Sequence, residues 1–249
     1  MRINLKSKEE MAYIREAGAI AAACHRQIEQ WVRPGATTLE IDERVEEFLR
    51  QAGAYPEQKG HKGFPFATCA SVNHQICHGF PKPEPLKAGD IVKIDLVVNK
   101  NGWLADRGWT YAAGTPCKEA ARLMSHTQAA LFAGIQQARV GQTIGDIGYI
   151  LESAAQKGGY GVVKMLVGHG IGQQLHEPPD IPSFGTPGKG RRLKEGMVIT
   201  IEPVFTLGPT GAVLWEEDGW TISAADGTLG VQYEHTIGIT KGGPLILTE

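Results

Sequence analysis

The sequence predicts a single α+β domain, spanning residues 1–249, whose strands form an antiparallel sheet. Amphipathic helical patterns occur near the N-terminus and again from about residue 116, whereas the chain from residue 197 onward alternates strand-like runs with turns. Helices and strands that do not alternate regularly are typical of this class. No linker rich in Pro, Gly or Ser divides the chain, so a second domain is not expected.

The first helix is predicted over residues 8–31. Ser7-Lys8-Glu9-Glu10 has the pattern of a capping box. The apolar residues that follow fall on one helical face, and Pro34-Gly35 ends the pattern. Thr38 is predicted to cap a second helix, which stops at Gly53.

A later segment repeats an earlier one. Residues 34–54 match residues 140–160 at a constant offset of 106 positions, and the matched pairs are Gly35/Gly141, Thr37/Thr143, Ile41/Ile147 and Gly53/Gly159. One interpretation is a duplicated helix–strand half with a site between the two halves. The other is coincidence, because many helices have a Thr cap and a C-terminal Gly.

A β-hairpin is predicted over residues 91–110. Six of the eight residues at positions 91–98 are β-branched or apolar, and Asn101-Gly102 is a strong turn signal. An even-numbered loop would place Asp95 and Asp106 on one face, opposite or diagonal, about 5–8 Å apart at Cβ. Two such carboxylates repel each other unless a cation lies between them. Two solvent-facing acids on an exposed hairpin are the alternative.

The rest of the chain is predicted in coarser terms. Residues 56–88 read as a loop-rich connection that includes the strand-like run 67–73, and helices are expected at about 116–139 and 143–157. Residues 162–168 read as a strand leading into His169, and residues 176–196 read as a long loop.

Composition excludes several classes of function. The formal net charge is −2, so no global field attracts DNA or an anionic membrane. The apolar run at residues 17–24 is too short to span a bilayer and lacks the flanks of a signal peptide. Four cysteines without CxxC spacing favour free thiols. We therefore expect a cytoplasmic protein with no membrane partner.

Three further polar residues, His169, Glu202 and Glu234, interrupt apolar strand-like runs. Together with Asp95 and Asp106 they supply four carboxylates and one imidazole. Each acid alone is compatible with a salt bridge on a sheet face, but five such residues favour a metal site. A carboxylate-rich set with one His and no thiolate suits Mn²⁺, Fe²⁺, Co²⁺ or a catalytic Zn²⁺. Two such ions, about 3.5–4 Å apart, activate a water for attack on a carbonyl or phosphoryl centre.

The motifs that carry these residues are KIDLV, LADRG, GHGIG, TIEPV and QYEHT. In combination they resemble the type I methionine aminopeptidases of the pita-bread metallopeptidase family, over nearly the whole chain from about residue 8. The interval between His169 and Glu202 is too short for the helical insertion of type II relatives. No zinc-binding extension is expected before residue 8, which is similar to the short bacterial form. The resemblance implies a pita-bread fold, with a pseudo-twofold antiparallel sheet and helices on one face. It also implies removal of the initiator methionine from nascent polypeptides, with a preference for a small second residue.

The resemblance assigns a role to each ligand. Asp95 and Asp106 would bind one divalent ion, Asp106 would also bind a second ion with His169 and Glu202, and Glu234 would bridge both. The metals would be Co, Mn, Fe(II), Zn or Ni. Glu202 would take or relay the proton of the attacking water.

The resemblance also assigns substrate-binding residues. His78 and His176 would contact the substrate and stabilise the tetrahedral charge, and the methionine pocket would be lined by Phe64, Cys69, Leu175 and Trp220. Ordinary core packing is the alternative for the pocket residues. For His78 the alternatives are a loop histidine or the base of a Cys77 thiol nucleophile, although neighbours on extended chain point to opposite faces.

Two positions depart from the family pattern. Family members often have hydroxyl residues where this chain has Val97 and Arg107-Gly108, which puts rate and metal preference in question. The basic loop 189–194 is a candidate for transient contact with ribosomal RNA, with a solvated loop as the alternative. We expect a monomer.

Two rival functions remain open. A proline-specific dipeptidase or aminopeptidase would use the same ligands, but those relatives usually carry a large additional N-terminal domain. A catalytically inactive binding homologue would be expected to have lost ligands, and all five are present here.

Overall fold

The computed structural model describes residues 3–249. This part of the chain contains helices α1 Lys8–Trp31, α2 Thr38–Gln51, α3 Lys118–Gln137 and α4 Ile144–Gly158. The strands are β1 Tyr55–Pro56, β2 Cys69–Val72, β3 Gln75–Cys77, β4 Ile91–Lys100, β5 Trp103–Ala112, β6 Gly161–Val162, β7 Val167–Gly170, β8 Glu177–Pro182, β9 Val198–Ile201, β10 Val204–Thr206, β11 Val213–Trp215, β12 Ile222–Ala224, β13 Gly230–Gln232, β14 His235–Thr240 and β15 Gly243–Ile246. None of the helices described combines the length and the apolar character that a membrane crossing requires.

The predicted α+β class is confirmed, with antiparallel pairing between the strands. The strands form four hydrogen-bonded sheets. β1, β2 and β5 surround β4 in one, and β15-β14-β9-β7-β8 form another. Two three-stranded sheets, β13-β10-β6 and β11-β12-β3, complete the structure.

Capping side chains determine where the first two helices begin. α1 has the predicted capping box, in which Ser7 Oγ accepts from Glu10 N at 3.1 Å and Glu10 accepts from Ser7 N at 2.7 Å. The cap of α2 was assigned to the wrong residue, because Thr37 and not Thr38 holds that position. Thr37 Oγ1 accepts from Glu40 N at 3.0 Å, and only Thr37 lies three residues before a Glu that can reach back.

One predicted strand and one predicted loop were wrong. The run 162–168 is divided into β6 and β7 by a turn at Lys164 and Met165. The predicted loop 176–196 contains β8, which pairs with β7 along the edge of its sheet. β8 contains three prolines, which an edge strand tolerates because its outer N–H positions need no partner within the sheet.

The repeated segments occupy equivalent places in two halves of the structure. Thr37 and Thr143 both form capping boxes, at the starts of α2 and α4. β1 and β6 follow those helices at the same offset of 106 positions. Each capping threonine also forms an isolated antiparallel β-bridge with a residue later in the chain, Thr37 with Pro85 and Thr143 with Arg192. These correspondences favour duplication over coincidence.

Each half has its own apolar core. α1 packs on β4 and β5, and the first core includes Ile14, Ile28, Val45, Ile94 and Leu104. α3 packs on β9 and β13, and the second core includes Leu131, Ile147, Leu151, Ile199 and Ile237. Because side chains alternate along a strand, Asp95 points away from the core face that Ile94 and Leu96 occupy. The polar faces of the two halves therefore meet between the cores.

Candidate metal centre

The hairpin of β4 and β5 places two acids as predicted. Lys100 pairs with Trp103, so Asn101-Gly102 is a two-residue loop, and both loop residues have positive φ, at 54° and 82°. This is the conformation that a type I′ turn requires. Asp95 is opposite Gly108, and Val97 is opposite Asp106. The two aspartates are consequently diagonal neighbours on one face of the ladder.

The two glutamates lie in short breaks between strands. Glu202 and Pro203 separate β9 from β10, where proline has no N–H to continue the ladder. Tyr233 and Glu234 separate β13 from β14, and Glu234 N donates to Gly108 O at 2.8 Å. Both carboxylates line the same cavity as the two aspartates.

The five residues predicted as ligands converge on one cavity. Asp106, His169 and Glu234 offer donor atoms that all lie within 4.8 Å of one another. His169 Nε2 lies 3.7 Å from Asp106 Oδ2 and 3.9 Å from Glu202 Oε1. Asp95 joins the group through the Gln232 amide, whose Nε2 lies 3.3 Å from Asp95 Oδ2 and 3.2 Å from Glu234 Oε2.

The electrostatics of this cluster call for a cation. Burial and the neighbouring carboxylates Asp95 and Glu202 raise the pKa of Asp106 well above its usual range. Burial, followed by Asp106 and Glu202, does the same to the pKa of Glu234. Burial and Asp95 raise the pKa of Glu202 to about 8. A divalent ion among these groups would offset both the desolvation and the mutual repulsion.

Unused acceptor atoms support the same conclusion. Within the described residues, Asp106 Oδ1 and Glu234 Oε1 are buried without a hydrogen-bond partner. Buried polar atoms are almost always partnered, so two orphaned carboxylate oxygens in one cluster need an explanation. Oxygen donors with one imidazole fit Mn, Fe(II), Co, Ni or a catalytic Zn ion. The residues present therefore fit a divalent metal site.

The His169 ring directs its Nε2 atom towards the acidic cluster. Its Nδ1 lies 2.9 Å from Gly170 O and, as the donor of that bond, leaves the Nε2 lone pair towards Asp106 and Glu202. Burial, followed by His176, lowers the pKa of His169 to about 4, so the ring is neutral at pH 7. A neutral imidazole is the form that binds metal.

Thr200 and Gln232 support the ligands but were not anticipated from the sequence. Thr200 Oγ1 donates to Glu202 Oε1 at 2.8 Å and accepts from His169 N at 2.9 Å, linking two predicted ligands. Gln232 spans Asp95 and Glu234, as described above. Each lies two positions before a glutamate, on the same side of the strand, and that spacing is the signal that could have identified both.

His78 and His176 both line the cavity. His78 is half-buried and has a left-handed backbone conformation, with φ at 56°. Gly79 follows it so closely against β2 that an added Cβ would lie 2.6 Å from Ala70 O. His176 is more exposed, and its ring centroid lies 4.4 Å from that of His169. Residues in such sparsely populated conformations are frequent at functional sites.

The predicted pocket residues Phe64, Cys69, Leu175 and Trp220 line the same cavity, which has a volume of about 570 Å³. Cys69 pairs directly with Asp95, so the apolar wall adjoins the acidic cluster. Phe64 and Trp220 contact each other edge to face, with centroids 5.1 Å apart. The wall also includes residues that sequence reasoning missed, namely Gln58, His61, Lys62, Met165, Leu166 and Trp215.

The two departures from the family pattern have different environments. Val97 lines the cavity, whereas Arg107 points away from it, donates to Thr248 O and lies over the Trp109 ring at 4.8 Å. A Cβ at Gly108 would lie 3.2 Å from both Glu234 Oε2 and Gln232 Nε2. The space beside Asp95 is therefore occupied by the Gln232 amide, and a larger residue at position 108 would crowd it.

A buried ion pair fixes the strand that follows His176. Lys6 Nζ contacts Glu177 Oε2, and their side chains are only 2% and 7% exposed. Glu177 pairs with Gly170, next to His169, so the ion pair ties the N-terminal segment to the part of the site that carries both histidines.

We expect Lys6→Met to destabilise the protein by about 3–5 kcal/mol, because it leaves the Glu177 carboxylate buried without its charged partner. Urea unfolding of metal-free protein measures this, with Lys8→Met at an exposed neighbouring position as the control. The double variant Lys6→Met/Glu177→Leu should recover most of the loss. A single variant as stable as wild type would show that the pair contributes nothing.

A duplicated α+β fold with a carboxylate-rich centre between its halves defines a metal-dependent hydrolase. The chain matches the model of metallopeptidase family M24 over residues 12–241. It is 43% identical over 246 residues to a methionine aminopeptidase of Clostridium perfringens, which covers 99% of this chain and 98% of that protein.

Solved structures agree. The structure matches that of methionine aminopeptidase from Rickettsia prowazekii with a TM-score of 0.98 and 39% identity, over 100% of both chains. A prolidase from Pyrococcus furiosus matches with a TM-score of 0.80 and 27% identity, over 98% of this chain but 65% of the prolidase. This chain belongs to metallopeptidase family M24, and the predicted pita-bread fold is confirmed.

Proposed function

We propose that this protein is a metal-dependent aminopeptidase that removes the N-terminal methionine from polypeptides and favours a small second residue. One observation carries the proposal: the five predicted ligands line the same cavity as apolar residues that can contact a methionine side chain, namely Phe64, Leu175 and Trp220. The relatives named methionine aminopeptidase match over essentially the full length of both chains, which supports the same substrate.

The apolar wall would bind the methionine side chain. Phe64, Leu175 and Trp220 offer aromatic and aliphatic surface, and the Cys69 thiol lies beside Asp95. A thioether packs well against aromatic rings, which contribute about 0.3–1.5 kcal/mol per contact. Burial and the nearby Asp95 raise the pKa of Cys69 well above its usual range, so this thiol stays neutral and does not act as a nucleophile.

Asp95, Asp106, His169, Glu202 and Glu234 would hold two divalent ions. When bound, such ions polarise the scissile carbonyl and acidify a water. The residues supply the remaining functions. Glu202, whose Oε1 is held by Thr200, would accept the proton of the attacking water and pass it to the leaving amine.

His78 and His176 would act on the scissile peptide group. Burial lowers the pKa of His78 even though Asp95 opposes the shift, so its ring is neutral and able both to donate a hydrogen bond and to transfer a proton. Donors aimed at the developing oxyanion stabilise the transition state more than the ground state. Pro178 and Pro179 line a recess beside His176, and we infer that their rings border the position of the second side chain.

The cellular setting belongs to the same proposal. An enzyme acting on nascent polypeptides would work in the cytoplasm, as a single-domain monomer. The exposed basic residues of loop 189–194 would allow transient contact with the ribosome.

The direct test compares peptides with metal-reconstituted protein. Met-Ala-Ser should release free methionine, Met-Arg-Ser should react at least about tenfold more slowly because its second side chain meets Pro178 and Pro179, and Ala-Pro-Ser should react slowest. Liquid chromatography of the released amino acid measures all three. Preferential cleavage of Ala-Pro-Ser would assign a proline-specific aminopeptidase, and no turnover of any peptide would point to an inactive homologue.

A further inference from the structure

Two large apolar side chains lie exposed at the opening of the cavity. Met165 is 51% exposed and Trp215 is 56% exposed, yet both line the same cavity as the acidic cluster. They belong to different segments, since Met165 lies in the turn before β7 and Trp215 ends β11. An exposed tryptophan beside a binding cavity is the kind of group that contributes most to recognition of a polypeptide.

The Trp215 side chain faces the cavity, which it lines directly. Trp215 ends β11, which pairs with β12, and β12 pairs in turn with β3, the strand that carries the cavity residue Cys77. Leu214, which pairs with Ser223 and is 45% exposed, projects to the opposite side and does not line the cavity.

The spacing fits the third residue of an extended substrate. Neighbouring strands lie about 4.8 Å apart, so Trp215 is about 10 Å from Cys77 across two strand intervals. An extended peptide advances about 3.3 Å per residue, which puts the third residue about 7 Å beyond the first, before its side chain is counted. Side chains one and three of an extended chain also project to the same side. A methionine side chain in the pocket would therefore direct the third side chain towards Trp215 and Met165.

We propose that Met165 and Trp215 form an apolar subsite for the side chain of the third substrate residue. The subsite favours an aromatic or long aliphatic side chain over glycine or aspartate. This inference rests on the proposed function, because it assumes that an N-terminal methionine occupies the pocket lined by Phe64 and Trp220. It goes further by assigning selectivity to the third residue, one position farther from the scissile bond than the second.

The test measures kcat/KM for Met-Ala-Phe-Ser, Met-Ala-Gly-Ser and Met-Ala-Asp-Ser with metal-reconstituted protein. Wild type should prefer Phe over Gly by about tenfold, at the low end for contacts in an apolar site because the subsite is open to water. The preference should appear mainly in KM, since the contact forms equally in ground and transition states. Trp215→Ala and Met165→Ala should each reduce the Phe/Gly ratio, with Trp215→Ala bringing it close to one.

Leu214→Ala is the matched control, because it removes an exposed apolar side chain from the same strand on the opposite face. It should keep the wild-type ratio. Release of methionine from all three peptides at similar efficiency, or an unchanged Phe/Gly ratio in Trp215→Ala, would overturn the subsite while leaving the aminopeptidase proposal intact. Absence of methionine release from every peptide would overturn both.

Discussion

Glu234→Ala should weaken metal binding at least about 100-fold, the upper range seen when a residue that only supports a ligand is removed. Glu234 is 1% exposed, one of its oxygens has no hydrogen-bond partner among the described residues, and Asp106 and Glu202 raise its pKa. Burial is the largest cause of that raised pKa, ahead of the two carboxylates. Those features indicate a carboxylate placed to neutralise bound cations. Without it, two ions would repel with less negative charge between them, and at least one should be lost.

Elemental analysis after dialysis against a defined Mn²⁺ or Co²⁺ concentration measures the effect, alongside release of methionine from Met-Ala-Ser. Glu119→Ala, at an exposed position on α3, is the control and should retain both metal and activity. Glu234→Gln provides a second readout, because it keeps the volume but removes one charge from a repelling cluster. Metal-free Glu234→Gln should therefore be more stable than metal-free wild type. Wild-type metal content in Glu234→Ala would contradict the bridging role.

His78→Ala should lower kcat by roughly 10²–10⁴-fold while metal stoichiometry stays at the wild-type value. His78 lines the cavity, and its proposed role is to act on the substrate and not to bind metal. A group that stabilises charge as the tetrahedral intermediate forms acts mainly in the transition state, so KM should change little. The pair of variants separates residues that bind metal from residues that act on the substrate.

The backbone at this position requires a matched variant. Because His78 has φ at 56°, alanine would destabilise the loop as well as remove the ring. Asparagine tolerates that conformation better, and it retains a hydrogen-bonding group but cannot transfer a proton near pH 7. His78→Asn should therefore fold as well as wild type and still show a large loss of kcat. Loss of metal in either variant would make His78 a ligand, and full kcat with metal retained would make it a structural loop residue.

The hairpin was predictable because its information is local. Alternating apolar residues, an Asn-Gly turn and the two-residue period of a strand determine the register, and the register places Asp95 and Asp106 on one face. His169, Glu202 and Glu234 each interrupt an apolar run, and it was the presence of all of them in one chain that indicated a metal site. That they meet depends on pairing between distant strands, which only the resemblance to a known family could supply.

Contacts between distant strands explain what sequence reasoning missed. Thr200 and Gln232 resemble ordinary strand residues until the structure places them against Glu202 and Asp95. β8 was hidden by its prolines, which normally indicate a loop but are compatible with an edge strand. Trp215 lies in the part of the chain, from residue 197 onward, that was predicted to alternate strands with turns, but its position at the opening of the cavity depends on how β11, β12 and β3 pair.

The central claim is that these carboxylates and His169 form a divalent-metal site whose occupancy drives release of N-terminal methionine. The most direct measurement titrates Mn²⁺ or Co²⁺ into exhaustively chelated protein and follows bound metal and methionine release from Met-Ala-Ser in the same samples. Release should be absent in the chelated protein and should rise together with bound metal, to a limit of two equivalents. Full methionine release by protein that contains no bound metal would contradict the claim.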